Sequence, residues 1–488
     1  MTALHCRTIL LAALVLGSSP FVHADGYAPP GLYEVRYLTL DNGLDVVLKR
    51  RTHAHNAAVR LVVDVGHRHF PCHKRETAHF LEHLLFTGTS KHSEAELDRL
   101  IEDHGGSWNA ATDESRTEYQ IDIFDRHLAL AIDTLYEIIT DTTITPEKVK
   151  LTREIIHQEL GGKASRLRRW LYERGVGKSA AMKSQRALLP GTGVVCPGLD
   201  TPEGIDEADI KHAYQTHYVP NNMALIVVGS LEEDHVLSHI RRTFGHMGRG
   251  AIDRQPPATP PYPSESTEVT GTLSPLLGAG GNIAIAYRTD GLYSPDFYVL
   301  WVLRVYLDRV LYEKIRVAEG LSYSPEALYF FDMDYGIFIA GADAELDRLD
   351  KVRIMLKAEL EKLRHGPLNA ADIETTKQRI LLARVQGYES NAEVANYYVS
   401  NVHELRTHGN LLDLETEIAN VQATDIQRVV RKYLRKELQV TIRSTPTLTY
   451  TQFYVALGII VVALFVVGGY FYRRVVRQYQ RASTSRKI

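Results

Sequence analysis

A run of 20 residues without a single charge, Phe453–Tyr472 (FYVALGIIVVALFVVGGYFY), lies near the end of this 488-residue chain. No other feature restricts the fold as hard. As a helix rising ~1.5 Å per residue it is ~30 Å long, the thickness of a bilayer's hydrocarbon core. In hydrocarbon a lone segment satisfies its backbone polar groups only as a helix. Tyr450, Phe453 and Tyr454 flank one end, and Tyr470, Phe471 and Tyr472 the other, as in an aromatic belt. The tail 473–488 then carries Arg473, Arg474, Arg477, Arg481, Arg486 and Lys487. Positive flanks stay cytoplasmic, so the body is expected on the other side. Residues 1–24 agree with this, reading as a secretory signal. Arg7 is the basic region, Ile9–Gly17 (ILLAALVLG) the apolar one, and Val22 and Ala24 the small residues before the cut. The two ends together predict a single-pass protein of a bacterial inner membrane, with its body in the periplasm and its C-terminus in the cytoplasm. The secretory route of a eukaryotic cell uses the same signal physics.

Charge excludes one class of partner. The chain as a whole has a formal net charge of −3, but both basic ends sit outside the body. Residues 25–448 hold 49 basic and 59 acidic side chains, a net of −10. An acidic body argues against nucleic acid. Ordinary hydrophobic (44 %) and charged (24 %) fractions exclude a disordered chain. Cys6 leaves with the signal. Cys72 and Cys196 stand as a disulfide or as two separate thiols; spacing alone does not choose.

The body reads as two related halves. A proline-rich stretch, 251–264 with Pro256, Pro257, Pro260, Pro261 and Pro263, forms a stiff linker between segments 25–250 and 265–448. In the first half strands are expected at 42–48, 59–65, 117–123 and 223–228. Helices are expected at 75–86, 94–104, 126–140, 146–160 and 209–218. Asp209-Ile210 leading to Ile226 is echoed by Asp425-Ile426 leading to Ile442, both offset by 216 residues. A helix-then-strand unit ending at Gly105-Gly106 has a counterpart at Leu311–Tyr323. The expected fold class is α+β: two homologous sandwiches of helices on a mostly antiparallel sheet, plus one C-terminal transmembrane helix.

Chemistry concentrates in the first half. Glu76-Thr77-Ala78-His79-Phe80-Leu81-Glu82-His83-Leu84-Leu85-Phe86 contains H-x-x-E-H in a helix-favouring context. His79 and His83, at i and i+4, project from one helix face and can share a cation. Glu82 lies beside them, placed to take a proton from water. The bland alternative is a helix with two partly buried histidines and a surface Glu. Two histidines leave a zinc short of a protein ligand, and helix 146–160 offers both Glu154 and Glu159. His67, His69 and His73 lie just upstream, as solvated loop residues or as a second metal position.

The chain resembles the pitrilysin/insulinase/mitochondrial processing peptidase family of inverted zinc metallopeptidases, in its short two-domain form. That family's pattern is H-x-x-E-H and then a ligand Glu about 76 residues beyond the second His, which is Glu159 here. Phe86-Thr87-Gly88-Thr89, His104-Gly105-Gly106-Ser107-Trp108-Asn109-Ala110 and His217-Tyr218-Val219-Pro220-Asn221-Asn222-Met223 resemble further family segments. Arg316-Val317-Ala318-Glu319-Gly320-Leu321-Ser322-Tyr323 resembles its Arg/Tyr motif. Two departures stand out: Thr152 occupies a position where members often carry a second Glu, and 161–200 is unlike the usual pattern.

The resemblance implies a zinc metalloendopeptidase acting on peptides or small unfolded proteins. One Zn2+ per chain would sit on His79, His83 and Glu159, with Glu82 as general base. Substrate would add as a strand along Asn109, Ala110 and Ala111. Arg316 and Tyr323 would donate hydrogen bonds to substrate or oxyanion; from the residues alone they read as a solvated helix charge and a core aromatic. Larger relatives have four such domains, so a homodimer, or a heterodimer with a related chain, is expected to restore them. The zinc of one subunit would then face Arg316 and Tyr323 of the other. The competing reading is a non-catalytic member serving as scaffold or partner subunit.

Overall fold

Near-continuous apolar runs become central strands because both faces of each sheet are covered. The computed structural model describes residues 31–174, 178–190, 194–252, 259–273 and 277–484, with side chains through 477. Residues 1–24, the expected signal, lie outside the described residues, as do 253–258 of the proline-rich stretch. The first half supplies β1 (Arg36–Thr39), β2 (Asp45–Arg50), β3 (Asn56–Val63), β4 (Ser107–Thr112), β5 (Thr117–Phe124) and β6 (Met223–Gly229). The second supplies β7 (Thr267–Thr272), β8 (Leu277–Gly278), β9 (Gly280–Thr289), β10 (Glu326–Phe331), β11 (Gly336–Glu345), β12 (Val440–Thr445) and β13 (Leu448–Thr449).

The two large sheets repeat one topology. Their orders are β1-β2-β6-β3-β5-β4 and β10-β11-β9-β12-β7. Read from the β4 and β10 edges, five strands correspond one to one, and β1 is the first sheet's addition. In both, one pair is parallel (β2–β6 and β7–β12) and the others in the shared order are antiparallel. The 216-residue echo is visible in detail. Asp209 and Asp425 each close a capping box at a helix start, with Asp206 and Gln422 as caps, and each helix feeds β6 or β12. Gly66 and Gly291 repeat another device. A Cβ on either would lie 2.3 Å from a carbonyl of the facing hairpin turn, Asp113 O or Asp332 O. The turns meet: Ser115 Oγ donates to Asp332 Oδ2 at 2.8 Å, and Arg68 donates to Asp334 Oδ1 at 2.8 Å.

Each sheet has one face covered by its own helices and the other by a helix from the opposite half. Helix Asn391–His408 lays Val394, Ala395, Tyr398, Val399 and Val402 on Val47, Ala58, Val62, Ile226 and Val228 of the first sheet. Tyr398 donates its hydroxyl to Leu32 O at 2.6 Å. Reciprocally, helix Ala180–Leu188 and the residues after it set Leu188, Leu189 and Val194 on Ala286, Ile337 and Val440 of the second sheet. Gly271 on β7 permits that approach, since a Cβ there would lie 2.2 Å from Ala180 N. The described part of the unusual segment 161–200 therefore includes the helix by which the first half covers the second.

Cys72 and Cys196 form a disulfide, 124 residues apart, tying the turn before the H-x-x-E-H helix to this segment. Closing a loop of that length restricts the unfolded chain by about 4–5 kcal/mol at most. The Cys72→Ser/Cys196→Ser chain is expected to lose about 2–4 kcal/mol, read from its urea midpoint. An unshifted midpoint would show that the bond contributes nothing to stability.

The chain leaves the second sheet without slack. β12 ends at Thr445, β13 pairs with β8, and the helix Tyr450–Thr484 starts at once. Thr449 N donates to Gln452 Oε1 at 2.9 Å and Gln452 N to Thr449 Oγ1 at 3.1 Å, a reciprocal cap that fixes where the helix begins. Tyr450–Arg477 is long and apolar enough to cross a membrane, and its most apolar stretch is not buried in the body.

Candidate metal centre

The helix Thr77–Phe86 sorts its residues by face. Ala78, Phe80, Leu81, Leu84 and Leu85 are buried, which leaves His79, Glu82 and His83 on the opposite, half-exposed side. Helix Pro146–Glu159 packs against it. Thr145 caps it by accepting from Lys148 N at 3.3 Å, Pro146 takes the first turn, and Val149, Thr152 and Ile156 face inward. Gly161 and Gly162, at φ +81° and +90°, stop it just beyond Glu159. Glu159 thus projects from its last turn toward the two histidines.

Three donor atoms converge there. His79 Nε2 and His83 Nε2 are 3.1 Å apart, and Glu159 Oε2 is 3.2 Å from the first and 3.3 Å from the second. Ligands at about 2.0–2.2 Å around a tetrahedral zinc stand about 3.3 Å from one another, so this donor set fits that ion in type and spacing. An open fourth position is consistent with the partial exposure of all three side chains. Glu154, the other acid offered by the helix, is not in this group.

Glu76 completes the arrangement, in a role that the sequence alone does not assign. Its carboxylate is buried, and Oε2 lies 2.8 Å from His79 Nδ1. A carboxylate only accepts, so Nδ1–H donates, and Nε2 keeps its lone pair toward the other donors. Burial pulls the His79 imidazole down, but the Glu76 hydrogen bond with the charges of Glu82, Glu76 and Glu159 outweighs it and holds His79 above its ordinary value. Burial likewise pushes Glu76 up, and the bond to His79 with the nearby His67, His79 and Arg75 brings it below the usual carboxylate range. The available sequence signal was the i, i+3 spacing of an acid and a ligand histidine. Glu76→Gln is expected to weaken zinc binding about 10–100-fold in a chelator competition, since such partners orient their ligands. Unchanged affinity would leave Glu76 a purely structural group.

Glu82 stands farther off than Glu159. One of its oxygens lies within 4.8 Å of both imidazole donors, and Oε2 accepts from Thr112 Oγ1 at 2.5 Å. Thr112 ends β4, the edge strand of the first sheet, which pairs only with β5. Asn109, Ala110 and Ala111 occupy that edge, so its unpaired side runs up to Glu82.

The other sequence-predicted residues fall elsewhere. Arg316 lies in a π-helical segment, Tyr312–Ala318, and donates to Tyr323 O at 2.7 Å; its guanidinium also covers the Tyr323 ring at 4.5 Å. Tyr323 is 67 % exposed, not a core aromatic. His67 and His69 are half-buried rather than solvated: His67 Nδ1 meets Arg75 O at 3.1 Å, and His69 Nδ1 accepts from Gly66 N at 3.0 Å. Among the described residues the only further metal-like grouping is the one with Glu82 already given. Thr152 is fully buried, and its hydroxyl has no partner among the described residues.

Comparisons with known proteins identify the family. The profile of the insulinase family (peptidase family M16) matches residues 45–179, and that of the peptidase M16 inactive domain matches residues 204–380. A probable mitochondrial-processing peptidase subunit beta of Arabidopsis thaliana is 25 % identical over 423 residues, covering 82 % of this chain and 76 % of that one. An uncharacterized zinc protease of Streptomyces coelicolor is 24 % identical over 422 residues, covering 84 % and 90 %. Among solved structures, a protease from Helicobacter pylori superposes with a TM-score of 0.72 at 20 % identity, over 84 % of this chain and 99 % of that one. The periplasmic protease PqqL from Escherichia coli matches with a TM-score of 0.67 at 19 % identity, over 84 % of this chain and 47 % of that one. The same two-sheet fold, the paired profile matches and the run of related zinc proteases place this chain in peptidase family M16.

Proposed function

We propose that the protein is a membrane-anchored zinc metalloendopeptidase that cleaves peptides or small unfolded proteins. The observation that carries the reading is the convergence of His79, His83 and Glu159 donors at 3.1–3.3 Å beside Glu82. His79, His83 and Glu159 would hold a zinc ion, which when bound would supply Lewis-acid polarisation of a carbonyl and a lowered pKa for water. Glu82 takes the proton of the attacking water and delivers it to the leaving amine. The free edge of β4 at Asn109, Ala110 and Ala111 receives the substrate backbone as an added strand, selecting extended chains rather than one sequence. Arg316 and Tyr323 hold substrate or the developing oxyanion from a neighbouring subunit. A scaffold role is disfavoured, since every position needed for metal and base is filled.

The site belongs to segment 25–250, and the Arg/Tyr pair to the related segment 265–448. The exposed helix Tyr450–Arg477, the signal-like residues 1–24 and the basic tail support an inner-membrane protein with its body in the periplasm. A relative named as a subunit supports an assembly of more than one chain, as a homodimer or with a related partner. The test is peptide cleavage by the purified body, residues 25–448, with and without a chelator. Cleavage that stops on chelation and returns with zinc is expected. A metal-loaded body inert toward every unfolded polypeptide offered would sink the reading.

A further inference from the structure

The general base is held by a hydroxyl whose proton has one good destination. Thr112 Oγ1 lies 2.5 Å from Glu82 Oε2, and the ionised carboxylate obliges it to donate. On its other side Thr112 Oγ1 is 3.3 Å from Thr117 Oγ1, its cross-strand partner on β5. Thr117 is fully buried and donates to Val65 O at 2.9 Å, so its own proton is committed there. The Tyr218 hydroxyl, bonded to Tyr119 at 2.8 Å, fills another side of Thr117. Thr112 can therefore send its proton to a neutral hydroxyl oxygen or to a carboxylate. The charge-assisted bond is roughly twice as strong, so the carboxylate receives it.

We propose that Thr112 is a positioning residue for hydrolysis: it occupies Oε2 of Glu82 and leaves Oε1 as the oxygen that exchanges protons. The terminal torsion of a Glu side chain is broad and two-fold, so an unheld carboxylate turns freely and presents either oxygen. With Oε2 engaged, the water proton goes to Oε1, and the same Oε1–H later protonates the leaving amine. The carboxylate ends as it began. Because Thr112 closes the strand that carries Asn109, Ala110 and Ala111, the surface that receives the substrate also orients the base.

The inference rests on the peptidase reading above, and the test separates the two. Thr112→Val keeps shape and loses the hydroxyl; Thr112→Ser keeps the hydroxyl. Thr112→Val is expected to lower kcat about 10–100-fold, with KM within about 2-fold and zinc content unchanged. Thr112→Ser is expected to return kcat to within about 3-fold of wild type. A Thr112→Val chain with near-wild-type kcat, or a Thr112→Ser chain as slow as Thr112→Val, overturns the proposal. A purely structural tie would lower stability in both and leave no split between kcat and KM. High-resolution crystal structures of the zinc-loaded full chain provide a readout that needs no activity. One Glu82 conformer in wild type and a turned or multiple carboxylate in Thr112→Val is expected; the same single conformer in both overturns the proposal. If the wild type cleaves nothing, the peptidase reading fails while this structural arm still decides the role of Thr112.

Discussion

Glu82→Gln is expected to retain zinc and lose about 10²–10⁴-fold in hydrolysis, while His83→Ala is expected to lose both. The asymmetry follows from the donors. His83 is one of three atoms spaced 3.1–3.3 Å apart, and its removal leaves two. Glu82 is instead tied to Thr112, a bond that the amide oxygen of Gln also accepts, so its replacement leaves the helix and the donor triangle in place. Metal content of the purified chains and their rate on an unstructured peptide decide it. Release of metal by Glu82→Gln would make Glu82 a ligand and reverse the assignment of the two acids.

Mixing Glu82→Gln chains with Tyr323→Phe chains is expected to restore about a quarter of wild-type activity. Each variant alone is nearly silent, since an oxyanion donor is worth about 10²–10³ in rate. In a two-fold dimer that pairs the metal of one subunit with Tyr323 of the other, a mixed pair puts both lesions at one site and neither at its mate. Random exchange makes half the dimers mixed, and half of their sites are intact. Tyr323 is solvent-exposed and held by Arg316 rather than packed into its own chain, as a group offered to a neighbour should be. If Tyr323 serves its own subunit, every site carries one lesion and mixing restores nothing. The wild-type chain active alone is the control that excludes an unrelated partner.

What the sequence disclosed depended on how local each signal was. Helices 75–86 and 146–160 were found to within about two residues, because periodicity, the Pro146 start and the glycines after Glu159 are written along the chain. The pairing of β6 and β12 with their helices was visible as an offset, since duplication leaves register behind. Choosing Glu159 over Glu154 required the family pattern, because both share one helix and only tertiary packing chooses. Glu76 was in plain view, but an acid three residues before a histidine is common and acquires meaning only once buried. The covering roles of Asn391–His408 and Ala180–Leu188 are not written in their sequences, since nothing in an apolar stripe names the sheet it will cover. The disulfide was undecided for the same reason, with 124 residues between its ends. Thr112 joins Glu82 through a hydroxyl that any strand could carry.

The reciprocal cap at Thr449 and Gln452 has a consequence for where such an enzyme could work. A catalytic body on a floppy stalk sweeps a volume and meets substrates from any height. Here Thr449 is the last residue of a strand pair and Tyr450 the first of the long helix, so no loop separates the helix from the body. With that helix in a bilayer, a connection without slack keeps the body close to the membrane surface. Its encounters would then be two-dimensional, favouring chains that are themselves confined to the membrane surface.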